Sequence, residues 1–558
     1  MLNEKIKVGI IIDEGEIPFL VWDFIEKYQK NNIYQITTLF IQQNTNVSDN
    51  YFKKIILYIK SYSISSVIQS VLWKSIEIFE KFLIKIFYPN LFKVFKNKRL
   101  KDFELKKVYL NPTISKSGLY YRFSEDQIQK IKKEKINLLI RGGSGILKGE
   151  ILNAVDKGIL SFHHGDNDIN RGGPPGFWEV YFKQSYSGFI VQRLSEELDG
   201  GNVIFKGKIQ TAFFYTYNKC RLYLKSVFFL DHAIKSVLKN ESSRKYPKIP
   251  YSYSLFKKPK LAAQFLYLFQ TIFFISVKIF KRIFSIQDRW GVGFQFVESL
   301  DNLSLRKSVF IKNLPSKFFA DPFIISENNK HILFVEEYDY KKNKGVISAI
   351  EVFKNRSYKY LGPVIREEYH LSYPHIFREG KDIFMCPESY QNNEIAIYKC
   401  ISFPLKWEKH KVLIKNIRAV DTNIFYLSGR WWILTTVCSS QIDEFSSEMH
   451  IYSSTELNSE TWVSHPMNPI FVDSNMARNG GKIHFIKDKI LRVHQKQTFN
   501  MYGKELLVSE IKILNNEKYE EKYLYSITPN FIEKIKGIHT LNFDKSVATF
   551  DFAKSQKI

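Results

Sequence analysis

The change of texture at Trp290 constrains this chain more than any other feature. Before it, apolar runs of strand length alternate with helical stretches. After it, short apolar and aromatic runs recur between Gly, Asn, Asp and Lys turns, as in Ile332–Glu336, Gly345–Val352, Ile383–Pro387 and Trp431–Thr436. A length of 558 residues exceeds one hydrophobic core. Even spacing of many short strands argues for a closed repeat architecture rather than a sandwich. A multidomain fold follows, α/β first and all-β second.

In the first part, residues 5–45 read as strand, helix, strand, and residues 134–165 continue the βαβ rhythm of a parallel sheet. Between them, about residues 50–110, lies a helical insertion. Its apolar residues from Ile64 to Ile76 recur at helical spacing, and the helix runs to Phe87 and stops near Pro89. Residues 216–285 are again helical. The run Leu261–Val277 is about 17 apolar residues, broken by Gln264 and Gln270 and followed by Lys278, Lys281 and Arg282. That falls short of the roughly 20 a bilayer span takes. Two readings stay open, a basic helix in a membrane interface or a helix packed between domains. The expected division is an α/β domain over 1–215, a basic helical connector over 216–288 and a repeat domain over 289–558.

A net charge of +26 favours anionic partners, meaning phosphorylated substrates or an anionic membrane face. No zinc-finger spacing or RNP-type strand accompanies it, so no specific nucleic acid is expected. Cys220, Cys386, Cys400 and Cys438 are scattered, which argues against a disulfide framework or a metal centre. No signal-peptide pattern precedes the first strand, so a cytoplasmic location, peripheral to the inner membrane face, is expected.

The stretch from Gly158 to Ile204 carries chemistry. His163 ends a strand, Arg171-Gly-Gly-Pro-Pro175 and Gly188 follow, and Asp199 sits on a later loop. A carboxylate that orients an imidazole and supports its charged form makes an acid–base couple. Asp166, Asn167 and Asp168 form a polar wall suited to a hydroxyl-rich or cationic acceptor; the bland alternative is a turn.

This block resembles the catalytic core of the folate-dependent formyltransferases, which include methionyl-tRNA and sugar N-formyltransferases. Their pattern of Asn-x-His, Arg-Gly, Pro, Gly and Asp-x-Gly is met by His163, Arg171, Gly172, Pro175, Gly188 and Asp199. Arg141, Gly142, Gly143, Gly145, Ile146 and Leu147 resemble that family's folate-lining strand and loop. The resemblance implies 10-formyltetrahydrofolate as cofactor, His163 and Asp199 as catalytic groups, and an amino sugar as acceptor. Asp166 and Arg171 would lie on the acceptor side, Arg171 chiefly supporting its loop. The family's asparagine is Ser161 here; serine is a shorter donor, and losing one oxyanion donor typically costs about a hundredfold to a thousandfold.

Beyond Trp290, related motifs recur at a period of about 50 residues: Phe319-Ala-Asp321-Pro-Phe323, Leu371-Ser-Tyr373-Pro-His375, Val420-Asp421-Thr-Asn423 and Met476-Ala-Arg478-Asn-Gly-Gly481. Four such units and a closing one, from Gly537–Phe543 with Val547–Phe552, predict a five-bladed β-propeller. This half is similar to the propellers of arabinanases and fructosidases. It looks closest to the N-terminal module of plant glucosamine inositolphosphorylceramide transferases, on Asp321, Glu388, Asp421, Arg478, Gln495 and Tyr502-Gly503 among others. Asp321, Glu388 and Asp421 start different repeats or end inner strands, so they are candidate sugar-binding or sugar-cleaving carboxylates; the alternative is strand-capping turns. Arg478 would suit a phosphate or uronate. Of Glu336 and Glu337, only one can face a central channel.

The expected activity is formyl transfer to an amino sugar in surface-polysaccharide or glycolipid assembly. The competitors are another acyl or carbonyl transfer without folate, and a glycosidase or glycan-binding protein built on the repeats.

Overall fold

A computed structural model describes residues 5–43, 64–197, 200–239, 246, 254–440 and 442–557. Asp199 and the first part of the insertion lie outside these residues. The chain divides into two compact units, Met1–Ile272 with Ser440–Ile442, and Phe273–Ser439 with Asp443–Ile558.

The first unit is built on seven strands: β1 (Ile6–Asp13), β2 (Tyr34–Gln42), β3 (Lys106–Leu110), β4 (Leu138–Arg141), β5 (Ile159–His163), β6 (Tyr186–Arg193) and β7 (Asn202–Gln210). Their order is β7-β6-β5-β4-β1-β2-β3. β3, β2, β1, β4 and β5 run parallel, and β6 and β7 add antiparallel. Parallel strands are covered on both faces, which is why Ile10–Ile12 and Leu138–Ile140 read as unbroken apolar runs and are buried. Strand order reverses between β1 and β4, so a crevice opens at their carboxyl ends.

Helix α1 (Phe19–Tyr28) follows β1, and the insertion helix α2 (Ile64–Phe87) ends where the sequence expects, before Pro89. Helix α3 (Tyr215–Leu238) is not a connector: Cys220, Leu222, Leu224, Val227, Phe229, Leu230 and Ile234 are buried within the first unit. Glu80 of α2 accepts the backbone N–H of Thr216 at 2.7 Å, satisfying a donor the first turn of α3 leaves unpaired. It also accepts from Tyr267, on α4 (Leu261–Ile283).

The second unit holds five antiparallel sheets in chain order. The first three span 317–365, 372–415 and 419–472, and the fourth 484–527. The fifth joins the unit's two ends: Ile286–Phe296 pairs with Val547–Lys557 in register from Ile286↔Lys557 to Phe296↔Val547. Hairpins such as Glu327–Lys330 turn on Asn328 and Asn329, at φ 47° and 62°, where a left-handed turn matches strand twist. Each sheet shares an apolar core with the next: Phe334 with Tyr373 and Met385, Phe384 with Trp431, Trp432 with Ile483, and Val493 with Phe550. The fifth packs back on the first through Val292 and Val547 against Phe319 and Leu333. Among the described residues no single sheet closes on itself.

Candidate functional site

The repeated motifs become one structural device. Asp321, Tyr373 and Asp421 lie at bulges in the leading strands of the first three sheets, at φ 50°, 42° and 48°. A bulge puts an extra residue into one strand and re-aims its side chain. Asp tolerates left-handed backbone better than Tyr, so Tyr373 is the more strained.

These bulges bring their side chains together. Asp321 accepts the N–H of Tyr373 at 3.2 Å and the hydroxyl of Thr540 at 2.9 Å, and its own N–H donates to Asp551 at 3.1 Å. His539 lies with Nδ1 2.6 Å from Asp551 and Nε2 3.3 Å from Asp321. Trp290 stacks on its ring at 3.8 Å between centroids. Asp421 accepts from Arg478 Nε and, at 2.9 Å, from Gln495 Nε2. Arg478 also stands 3.8 Å from Glu388 and over the ring of Tyr502. Glu336 is 3.5 Å from His370 Nε2, whereas Glu337 turns to Lys317 at 2.6 Å and Ser348 at 2.6 Å. The two adjacent side chains thus take different partners, as neighbours in a strand do.

Burial controls the charges. It pushes the Asp321 carboxyl up to about 6, with Asp551 and Asp421 adding and His539 opposing. Burial also holds Glu388 well above the carboxylate range, Asp421 reinforcing it and Arg478 opposing. Glu336 is raised in the same way, by burial and then Asp321 and Glu388. Burial works against a charged His539, but Asp551 and Asp321 outweigh it and keep the imidazole above its usual range. Burial lowers His370 to about 4, so Glu336 and His370 meet as neutral partners. The arrangement sets protonated acids beside carboxylates held by cations, the pairing that acid–base chemistry at a glycosidic carbon uses. Asp321, His539 and Asp551 also offer ligand atoms within 4.8 Å of one another, a set that could hold a metal ion.

Sequence reasoning brought Asp321, Glu388, Asp421 and Arg478 to this place. It misassigned Arg478: the guanidinium is spent on Asp421 and Glu388 and is no open receptor for a phosphate or uronate. It left Glu336 and Glu337 undecided and missed His539 and Asp551 as site residues. His539-Thr540 stands just before the strand Leu541–Asp544 in the closing unit of the repeat, and that position was the available signal.

In the first unit a cavity of about 190 Å³ occupies the crevice at the β1/β4 reversal. Leu20, Val21 and Phe24 of α1, Arg141–Gly143 after β4, and Ser161 and Phe162 of β5 line it. Ser161 and His163 share one face of β5. His163 is 9% exposed, with Nε2 3.1 Å from the Asn170 carbonyl. A carbonyl only accepts, so Nε2 carries the proton and the ring is fixed. Of the two histidines it is His164, not His163, that lines the cavity; its Nε2 lies 2.8 Å from Ser226, and burial lowers it to about 3.

Several first-unit expectations change. Gly145, Ile146 and Leu147 do not line the cavity: Ile146–Leu147 is a strand paired with Tyr120–Arg122, and Leu147 is core. The glycines serve the chain's own packing, since a Cβ on Gly142 would meet Val21 at 2.5 Å and one on Gly145 would meet Tyr121 at 2.4 Å. Asp166 and Asp168 make no acidic wall, because Lys206 lies 2.5 Å from each and Lys208 3.8 Å from Asp166. Arg171 supports its loop as expected, donating to the Asn167 carbonyl at 2.9 Å. The cavity's walls are mainly apolar, with Ser161 and the Arg141–Gly143 segment as polar lining, a smaller set of residues than the resemblance implies for a folate.

Residues 305–548 match the family model described as glucosamine inositolphosphorylceramide transferase 1, N-terminal. The Arabidopsis thaliana protein glucosamine inositolphosphorylceramide transferase 1 is 34% identical over 212 residues, covering 37% of this chain and 27% of the relative. The protein of the same name from Oryza sativa subsp. indica is 31% identical over 211 residues, covering 37% and 28%. The chain thus spans little more than a quarter of these relatives' length. Among solved structures, glycinamide ribonucleotide transformylase 1 from Symbiobacterium toebii aligns with 10% identity and a TM-score of 0.28, over 42% of this chain and 89% of that one. Zg3597, a family 117 glycoside hydrolase from Zobellia galactanivorans, aligns with 10% identity and a TM-score of 0.32, over 49% and 92%.

Proposed function

We propose that this chain is a transferase-class protein of glycan or glycolipid assembly whose second unit takes the sugar. In this reading the five sheets are blades around one axis, and the Asp321–Glu388–Asp421 cluster lies where their leading strands meet. The observation that carries it is the pairing of raised acids, Asp321 and Glu388, with the Arg478-held Asp421. Glu388 donates a proton to a glycosidic oxygen, Asp321 receives one from the incoming hydroxyl or amine, and Tyr502 and Trp290 supply sugar-stacking faces. The relatives' name points to a glucosamine- and inositolphosphoryl-bearing lipid as the class of substrate. Asp321→Asn and Glu388→Gln are each expected to lower turnover of such glycans by about 10²–10⁴-fold, while His163→Ala leaves it intact. Calorimetry of sugar binding reads the same variants. Unchanged turnover and affinity in both carboxyl variants would remove the site from the reaction.

A second reading is favoured by the cavity at the strand reversal. There the first unit transfers a formyl group to an amino sugar. 10-Formyltetrahydrofolate, when bound, supplies an activated one-carbon unit, and Arg141–Gly143, Val21 and Ser161 would hold it. His163, its ring set by Asn170, moves the amine's proton with Asp199. Ser161 donates where the longer amide of asparagine would reach further. His163→Ala should abolish formyl transfer to nucleotide-linked amino sugars, and Ser161→Asn should raise it by up to about a hundredfold. Fluorescence titration with a reduced folate is the second readout. If no folate binds and both variants transfer at the parental rate, folate chemistry is wrong and a folate-independent acyl transfer takes its place.

A further inference from the structure

The second unit has a hollow of about 490 Å³ along the strands that carry the Asp321 cluster, but further on. Ile325 of the first sheet, Phe377 of the second, Tyr426 of the third, Phe485 of the fourth and Phe543 of the fifth line it, so every sheet gives one strand. Ile324, also in the lining, stands roughly 10 Å along the strand from Asp321, at about 3.3 Å per residue. None of Asp321, Glu388 and Asp421 lines the hollow. Its volume falls in the range of about 300–1,000 Å³ that small-molecule sites occupy.

One corner of the hollow is cationic. Arg378 Nη2 and Lys545 Nζ both donate to the Ser326 carbonyl, at 3.3 and 3.2 Å, so two cations from different sheets converge on one atom. Lys482 adds a third, 3.5 Å from Asp544. Arg378 also holds Glu327, and Asp544 accepts the Ser326 N–H at 2.7 Å, so two carboxylates answer three cations. Burial lowers the Lys482 ammonium below its usual range and Arg378 adds to it, with Asp544 opposing; an anion at this corner would work the other way. His375 and His484, each 3% exposed, line the same hollow. His375 Nε2 meets the Ile424 carbonyl at 2.8 Å, but His375 Nδ1 and His484 Nε2 have no partner. Burial keeps both rings neutral, lowering them to about 4 and about 3. Leaving a polar atom buried and unpaired is costly, and a hydroxyl, which donates or accepts, satisfies either ring nitrogen. Beside them Tyr426 and Phe485, 54% and 53% exposed, hold out aromatic faces. Trp431 backs Tyr426 at 5.4 Å between centroids, and Phe425 backs Phe485 at 6.1 Å.

A cationic corner, two hydroxyl partners and flat aromatic faces together select a ligand with a negative group, hydroxyls and an apolar ring face. We propose that this hollow is a second carbohydrate site, which takes a sugar bearing a phosphate or a carboxylate. The proposal deepens the sugar-handling reading of the second unit and rests on it for the choice of a sugar ring. Arg378, Lys482 and Lys545 hold the anion, His375 and His484 meet hydroxyls, and Tyr426 and Phe485 stack on the ring. The site recognises a charged sugar and leaves the chemistry to the Asp321 cluster.

The test is a ligand-observed NMR titration of the full chain with glucose 6-phosphate, glucuronate, glucose and uridine monophosphate. Glucose 6-phosphate or glucuronate is expected to bind at least about tenfold more tightly than glucose, and the tighter of the two shows which anion the corner takes. Arg378→Gln with Lys545→Gln should lower that affinity by about tenfold. Tyr426→Ala, at an exposed ring, should lower it by about fivefold, and Asp321→Asn should leave it unchanged. An unchanged urea transition shows that the variants fold. Equal affinity in the parent and both hollow variants would overturn the proposal. So would binding lost in Asp321→Asn, which puts the sugar at the carboxyl cluster. Uridine monophosphate binding more tightly than either charged sugar, and lost in the hollow variants, would replace the sugar ring with a base and overturn the ligand class. Turnover in Asp321→Asn tests the carboxyls alone, so that reading and this one fail on different measurements.

Discussion

Replacing Arg492 by methionine is expected to destabilise the second unit by about 3–5 kcal/mol, the cost of stranding a buried partner charge. Arg492 is fully buried, and its guanidinium spends every donor. Nη1 reaches Glu521 at 3.1 and 3.2 Å, Nη2 donates to the Met476 and Ala477 carbonyls at 2.8 and 2.9 Å, and Nε donates to Asn479 at 3.0 Å. Glu521, 1% exposed, would keep Tyr519 as a donor but lose its cation. His494 is no ready replacement, because burial, the larger cause of its lowered range, persists when Arg492 is gone. Lysine should recover little, since a point charge cannot reproduce the planar fork. The loss should reach the sugar site as well, because Asn479 also donates to the Asp421 carbonyl at 2.7 Å. Urea unfolding of the parent, Arg492→Met and the Arg492→Met/Glu521→Leu pair checks this. The double variant should recover part of the loss, and a single variant within about 1 kcal/mol of the parent would refute the argument.

The first unit is expected to lose stability as pH rises through the weakly acidic range. Burial pushes Glu80 from 4.5 to about 7, its bonds from Thr216 and Tyr267 offsetting only part of the shift. Burial likewise raises Glu179 from 4.5 to about 7. Below the unfolded value both states hold these protons and nothing is lost. Between about pH 4.5 and 7 the unfolded chain releases protons that the folded chain keeps, so stability falls as pH rises. Above about 7 both states are ionised and the loss is complete, at about 3 kcal/mol for each group. Glu80→Gln keeps an acceptor for Thr216 and removes the charge. It should therefore match the parent near pH 5 and exceed it by about 3 kcal/mol near pH 8. Hydrogen exchange of the β1 and β4 amides across pH reads this unit alone. A variant whose exchange profile superimposes on the parent's would show that Glu80 carries no such penalty.

The first unit's strands, the helix ending before Pro89 and the short strands beyond Trp290 were legible because each is written in local pattern. The bulge residues Asp321 and Asp421 were legible because the motif repeats. The partners of those residues were not. Arg478 looks like a free cation in the sequence and is a clamp in the structure, and Asp166 looks like an acidic wall until Lys206, from another strand, neutralises it. Arg492 and Glu521 carry no motif at all.

What the sequence by itself determined is the order and type of the elements, since apolar period, turn residues and proline act within a few residues of one another. Which carboxyls keep their protons and which cations are already spent were decided only by the tertiary structure. Burial and charge pairing depend on groups that meet from distant strands, and no local pattern encodes those meetings.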